Sequence, residues 1–528
     1  MSNIIQNANI ERADSFNTRS TSGTVEDVME RLEFGSFQVG LTFACGLTFM
    51  SDAVQINLMS FLSLVLSHIW NLSSSTTASL SATVFFGMFI GSLVWGVVAD
   101  KIGRRTACIA ISACITVVSV GTSTARNVTE IKVWLLLMGI SISGFVIPFD
   151  LLAEFSPNKG RAARLLTLNY FWALGSLCVP LFAYLTIGAD YSSWRRLVLM
   201  CAIPCFVSLI MGWKFAKESP RWLMENGRPD EAKQVLKEVE EYNKISHNNL
   251  MITHDFAFVV DSTGNSSGYS PDYPSSGNPF LDLVSPKYRQ TTLKLWAIWF
   301  CKSFTYYGNV LLTAKLHHVV VEGEGTGFDF FKVMLAASSE IFATTFLIFL
   351  ASRYGRVPIG QTAYSSAGAL LFLFCVTESV IFGVAARFAI VMAVNITWVH
   401  TPELYGTEIR STGHSTCSAV SRIGALLSPF AVYRFPPIVV GMLFFMSASL
   451  AGHLTSFLPE TKGRSMGETD GGSDPAQVLE GKVIEVRRMK EKGDSTTNAH
   501  TLFRSCSSPP AYPITALANR TSPRISLH

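Results

Sequence analysis

The chain has 528 residues, 49% of them hydrophobic and only 15% charged, with a mean hydropathy of +0.33. A soluble domain carries about 25% charged residues; here charge is missing from blocks ~20 residues long, the length that spans a bilayer core as a helix. This excludes a soluble globular enzyme, a nucleic-acid module and a disulfide-rich secreted domain, and a formal net charge of +4 implies no polyanionic partner.

Residues 1–36 are polar and lack the basic start, apolar core and cleavage site of a signal peptide. Apolar spans follow at roughly 37–66, 76–99, 104–123, 131–152, 163–187 and 197–216, then at 292–314, 331–351, 357–377, 379–400, 412–432 and 436–458. The first is too long for one straight crossing and predicts a kink or a terminal surface helix. Residues 37–216 and 291–460 read as two six-helix halves. Between them, 217–290 is polar, opening with a predicted helix over Pro229–Tyr242 and continuing through a Ser/Gly/Asn/Pro-rich linker, Ser262–Pro279. The tail, 461–528, reads as disordered apart from a short helix around Val478–Lys492.

Lysines and arginines in short loops set orientation. Lys101, Arg104 and Arg105 follow span two, Lys159, Arg161 and Arg164 follow span four, and Arg353 and Arg356 follow span eight. These loops, both termini and the central linker are expected on the cytoplasmic side.

The two groups of six repeat each other. Gly103-Arg104-Arg105 after span two has a partner in Gly355-Arg356 after span eight. Glu154 and Arg161 after span four recur as Glu403 and Arg410 after span ten, and Glu218-Ser219 after span six echoes Glu460-Thr461 after span twelve. Three pairs in order at nearly one separation indicate duplication. The expected fold is an all-α polytopic membrane protein: twelve transmembrane helices in two parallel six-helix repeats, the plan of major facilitator transporters. In GVVADKIGRR, Gly96 is expected to let helices approach closely. Asp100 can pair with Arg104 and Arg105. This cluster, with Glu154, Arg161 and their second-half partners, could latch one half against the other; simple positive-inside anchoring is the plainer reading.

GVVADKIGRR resembles the major facilitator loop motif. Glu218-Ser219-Pro220-Arg221-Trp222 and Pro459–Arg464 resemble the signatures closing each half in sugar and organic-ion porters. Met50-Ser51-Asp52-Ala53, Leu295–Leu312 and Thr401–Phe430 are similar to the synaptic vesicle 2-related proteins, an organic-ion-porter-like group. The resemblance covers roughly residues 37–465. It implies a membrane transporter whose first helix lines a central cavity. The chain departs from the pattern at Met138, where an arginine is usual, at Ser352, where an aspartate is usual, and at Gln55, often Glu.

A charge inside a spanning helix costs at least ~2.5 kcal/mol at mid-bilayer, so it reads as functional or paired. Asp52 near the middle of span one, with Gln55 at i+3, is a candidate for cation binding or proton relay. Lys302 in span seven needs a buried partner, for which Glu340 in span eight is the economical choice. Tyr306, Tyr307 and Asn309 around Gly308 suit a gate or an organic ligand. Asp150, one turn deeper than Glu154, could face the cavity; Glu154 is expected to pair with Arg161. Arg387 in span ten reads as an internal ion-pair residue or a substrate contact. His400 and His414 read as packing histidines.

No Walker P-loop is present, so ATP has no recognisable site. No cofactor, metal or nucleic acid is expected, and a monomer in the bilayer is. The leading reading is alternating-access transport of a small organic cation or zwitterion driven by a solute, proton or sodium gradient. Lys302 and Arg387 keep an organic anion open, and the closing signatures keep a sugar or polyol open. A receptor-like protein that no longer transports is the reading from another class. No nucleophile elbow, HExxH or redox motif supports an enzyme.

Overall fold

The computed structural model describes residues 34–157, 161–187, 191–243, 279–321, 325–405 and 409–462, with short strands at 22–23 and 257–258. All of them belong to one compact unit, Met1–Thr469. The predicted tail helix, most of the Ser/Gly-rich linker and most of 1–36 lie outside the described residues.

Each apolar block folds as a helix beginning and ending within about one turn of the block. They are α1 (Ser36–Ile69), α2 (Ser74–Ile102), α3 (Arg104–Thr122), α4 (Val128–Glu154, with a 3-10 turn at Ser143–Phe145), α5 (Arg161–Thr186) and α6 (Trp194–Phe215). In the second half they are α7 (Arg289–Leu316), α8 (Phe330–Arg353), α9 (Arg356–Thr377), α10 (Val380–Glu403), α11 (Arg410–Arg434) and α12 (Pro437–Ser456). Ten of these are long and apolar enough to cross a membrane. The other two, α7 and α11, are 28 and 25 residues long. Their polar residues include Lys302, Asn309, His414 and Arg422, all on α7 or α11.

Helix starts follow local chemistry. Ser73 caps α2 by accepting from the Thr76 N–H, Asn127 caps α4 through Glu130, and Asp329 caps α8 through Lys332, each satisfying a first-turn donor. The 34-residue α1 is one unbroken helix, not the expected kink or surface helix. Its central stretch is almost wholly buried, so neighbouring helices rather than lipid set its length.

The packing pattern repeats when six is added to each helix number. α1 packs on α5 and α6 as α7 packs on α11 and α12; α2 packs on α4 as α8 packs on α10; α3 packs on α6 as α9 packs on α12. Between halves, α2 meets α11 and α5 meets α8. The close approach in α2 is not at Gly96, where an added Cβ would meet open space. It is at Gly87, where a Cβ would run into the Leu136 carbonyl, and at facing Gly139, where it would run into the Val84 carbonyl. Small residues let these backbones touch.

After α6, the predicted linker helix forms at Pro229–Asn243 and buries Ala232, Leu236 and Val239. Leu236 and Val239 share a core with Phe37 and Leu41 of α1. Between α7 and α8, His318–Val321 and Gly325–Phe328 pair as an antiparallel hairpin.

Candidate functional site

At one end of the bundle each half carries the same brace. The chain turns from α2 into α3 at Gly103, whose φ of 94° is left-handed and where a Cβ would overlap the Glu218 carboxylate, so glycine is required twice over. Glu218 Oε1 accepts the backbone N–H groups of Arg104 at 2.7 Å and Arg105 at 3.1 Å, placing a negative charge on the α3 N-terminus. Arg104 pairs with Asp100 at 3.0 Å and approaches Glu154 at 3.7 Å. In the second half Glu460 accepts from the N–H groups of Arg356 at 2.8 Å and Val357 at 3.0 Å. A Cβ at Gly355 would overlap that carboxylate, and Arg356 grips Glu403 with two bonds, at 3.1 and 3.0 Å. The hydroxyls of Ser219 and Thr461 hold Glu154 and Glu403 respectively. Burial alone would raise the Glu460 carboxyl, but the N–H groups of Arg356, Lys462 and Val357 outweigh it and hold it below the ordinary 4.5.

These contacts lie within one half each. Among the described residues, none of the contacts made by Asp100, Arg104, Glu154, Glu218, Arg356, Glu403 or Glu460 crosses between halves, so in this conformation these side chains brace the halves rather than latch them together. The expected Glu154–Arg161 pair is replaced. Glu154 faces Arg104, and the Arg161 guanidinium donates to the Ser156 carbonyl at 3.0 and 2.9 Å. Glu403 is likewise taken by Arg356, leaving Arg410 with two buried nitrogens without a partner; Arg105 leaves its Nε so.

Between the halves lies a cavity of about 730 Å³, the volume of a small-molecule site. Its wall includes the aromatic side chains of Phe49, Phe145, Trp172, Trp299, Tyr306 and Trp398. Asp150, Arg161, Glu403 and Arg410 line it towards the braced end.

The charged groups of the wall are paired differently from the expectation. Glu340 is taken by Arg387, not Lys302: the Arg387 Nη2 and Nε stand 2.7 and 2.8 Å from Glu340 Oε1, and both residues are almost fully buried. The packing explains it, because α8 lies against α10 and barely touches α7. The Lys302 amine instead sits 3.2 Å from the centre of the Trp299 ring and 5.0 Å from that of Trp398, a cation–π arrangement. No carboxylate lies within 4.0 Å of it among the described residues.

The Glu340–Arg387 pair also joins the halves. The Tyr306 hydroxyl donates to Glu340 Oε1 at 3.3 Å and accepts from the Trp172 indole of α5 at 2.8 Å. Arg387 donates to Asn57 of α1 at 3.4 Å, and Asn57 donates to Ser176 of α5 at 3.1 Å. Glu340 Oε2 is buried without a partner.

Tyr307 lines the cavity; its ring packs on Phe85 of α2, and its hydroxyl accepts from Arg422 at 3.4 Å. Asp52 is buried and neither of its oxygens has a partner. It is not part of the cavity wall. Gln55 is turned towards α6, donating to the Cys201 carbonyl and to Cys205 Sγ, each at 3.3 Å. Asn309 is fully buried, accepts from Thr313 at 3.4 Å and stands outside the wall. His400 meets the Pro459 carbonyl at 3.0 Å, whereas His414 packs at a tilt against Trp398 in the wall.

Sequence reasoning missed Arg422, Asn57 and Trp172. Arg422 stood in the apolar block 412–432, and the cost of a charge there was the signal that could have found it. Asn57 and Trp172 carry no such mark; only the packing of α1 and α5 against the second half singles them out.

The family described as sugar (and other) transporter matches residues 34–471. The synaptic vesicle 2-related protein of Xenopus laevis is 31% identical over 484 residues, covering 84% of this chain and 82% of that protein. Organic cation/carnitine transporter 7 of Arabidopsis thaliana is 26% identical over 501 residues, covering 86% and 98%. Among solved structures, the partially occluded inward open conformation of the xylose transporter XylE from E. coli superposes with a TM-score of 0.62 at 15% identity, over 81% of this chain and all of that one. This last likeness concerns the fold. The chain belongs to the sugar (and other) transporter family, and it is an integral multi-pass membrane transporter of the major facilitator superfamily.

Proposed function

We propose that the chain carries a small organic zwitterion across the membrane by alternating access, its negative group meeting Lys302 and Arg422 and its positive group meeting Glu340. One observation carries this reading: the cavity wall holds charges of both signs with unused capacity. Lys302 leans on rings with no carboxylate in reach. Arg422 keeps a nitrogen without a partner, and Glu340 keeps Oε2 free although Arg387 holds Oε1. Trp172 and Tyr306, bonded beside Glu340, offer ring faces that attract an ammonium. The Arabidopsis relative is named for organic cations and carnitine; carnitine unites a quaternary ammonium and a carboxylate.

In this reading both termini, the segment 217–290 and the braced end are cytoplasmic, as the basic loops favour. The part of the cavity lined by Arg161, Glu403 and Arg410 then lies on the cytoplasmic side. A proton or sodium gradient supplies the energy, in the plasma membrane or a vesicle membrane.

Thermal unfolding of the purified protein with carnitine, choline, a monocarboxylate or xylose tests the proposal, since a ligand of the folded state stabilises it. Carnitine should stabilise most. Lys302→Met and Glu340→Gln should each weaken it about tenfold or more, which is about 1.4 kcal/mol. Stabilisation by xylose alone would overturn the proposal in favour of a sugar carrier. Binding without uptake into proteoliposomes would leave a receptor.

A further inference from the structure

Asp52 on α1 is 1% exposed, and both its oxygens lack a hydrogen-bond donor. A carboxylate so placed must be neutralised by a nearby cation or by a proton. Among the described residues, no lysine or arginine lies within ion-pair distance of it. The titratable groups within electrostatic reach are Arg422 from α11, Tyr307 from α7, Cys108 from α3 and Cys205 from α6. Arg422 alone of these carries positive charge, and it comes from the opposite half.

Arg422 is itself loosely held. It is 3% exposed. One nitrogen, Nη1, donates to Tyr307 at 3.4 Å and touches Met88 Sδ at 4.0 Å; its Nε has no partner. The guanidinium lies 5.4 Å from the centre of the Phe145 ring and borders the cavity. It borders the space a solute enters and is within electrostatic reach of a buried acid, with no ion pair to either among the described residues.

We infer that Asp52 and Arg422 form a charge couple across the two halves, and that a solute carboxylate engaging Arg422 leaves Asp52 to take up one proton. This rests on the zwitterion reading for the identity of the anion. The proton comes from cavity water and forms an O–H bond on Asp52; no other covalent bond changes. The solute's carboxylate and ammonium cancel, so the only net charge the pocket gains is that of the proton. A zwitterion of no net charge would therefore move with one positive charge per cycle.

The test uses full-length protein in nanodiscs. The infrared carboxyl band that disappears in Asp52→Asn is titrated with pH. In Arg422→Gln its midpoint should move to higher pH by a unit or more, a tenfold change in proton affinity, and Arg422→Lys should restore most of the difference. An unmoved midpoint in a folded Arg422→Gln protein would overturn the couple. In the second arm carnitine is added a unit or more above the wild-type midpoint, where Asp52 is almost fully ionised, in weak buffer with a pH dye. One proton taken up per carnitine bound, and none in Asp52→Asn, supports the exchange; carnitine binding without proton uptake overturns it. If carnitine fails to bind wild type at all, the zwitterion reading falls, and the titration arm still decides the couple.

Discussion

Removing Arg387 isolates the energetics of the buried pair. Its guanidinium stands 2.7 Å from the Glu340 carboxylate. At an effective dielectric of ~20, two unit charges at that distance attract by about 6 kcal/mol. Taking both ions out of water costs several kcal/mol each, so the intact pair contributes little net stability. Breaking it is different. Arg387→Met leaves Glu340 with only the long Tyr306 contact and should cost ~3–5 kcal/mol, the penalty of an uncompensated buried charge. Glu340→Gln alone strands Arg387 with the 3.4 Å Asn57 contact and should cost a similar amount. The double variant should recover most of the loss, giving a coupling energy of ~3 kcal/mol. Reversible unfolding of all four proteins in mixed micelles closes the cycle. Additive losses would show that the two side chains do not act as a pair and would refute the reasoning. A Lys302→Met/Glu340→Gln cycle is the control, and it should be near additive for stability.

Three further outcomes follow from the geometry. Gly139→Ala should destabilise by ~1–3 kcal/mol, because its Cβ meets the Val84 carbonyl in a packed helix pair; Gly96→Ala, facing open space, should be neutral or slightly stabilising, and unfolding of both variants compares them. Asp100→Asn should change stability by less than ~1 kcal/mol, since the Asp100 side chain is 72% exposed in its pair with Arg104 and exposed pairs contribute little. Glu460 is held below its ordinary 4.5, so its brace contributes fully above that pH and is lost as pH falls below it. The stability gap between wild type and Glu460→Gln should be flat at neutral pH and close only below about pH 4.5.

The spans were legible because hydrophobicity is a property of each segment, and the duplication was legible because loop motifs recurred in order. Partners were not legible. Lys302 and Glu340 looked like a pair because they occupy consecutive spans, yet α8 packs on α10, so the cation Glu340 meets is Arg387. Charge-for-charge reasoning also overlooked that an amine can settle on indole rings, as Lys302 does on Trp299. Gly96 carried the motif, but Gly87 and Gly139 carry the helix contact, and only the register between α2 and α4 tells them apart. Arg422 was readable as a charge in an apolar block; its relation to Tyr307 and Asp52 required α7, α11 and α1 in place.

The two braces share no residue, and this bears on how the sequence can drift. A change in one brace is answerable only to its own half. The first half keeps Asp100 beside Arg104, whereas the corresponding turn of the second half has Ser352, with Arg356 committed to Glu403 instead. After a duplication the copies can diverge there independently, each compensated locally. Trp172, Tyr306, Asn57 and Arg387 are under a different constraint. Their bonds join the copies, so a substitution on one side must be met by a change on the other. Across descendants of one ancestor, these four positions should change together, while the braces wander apart.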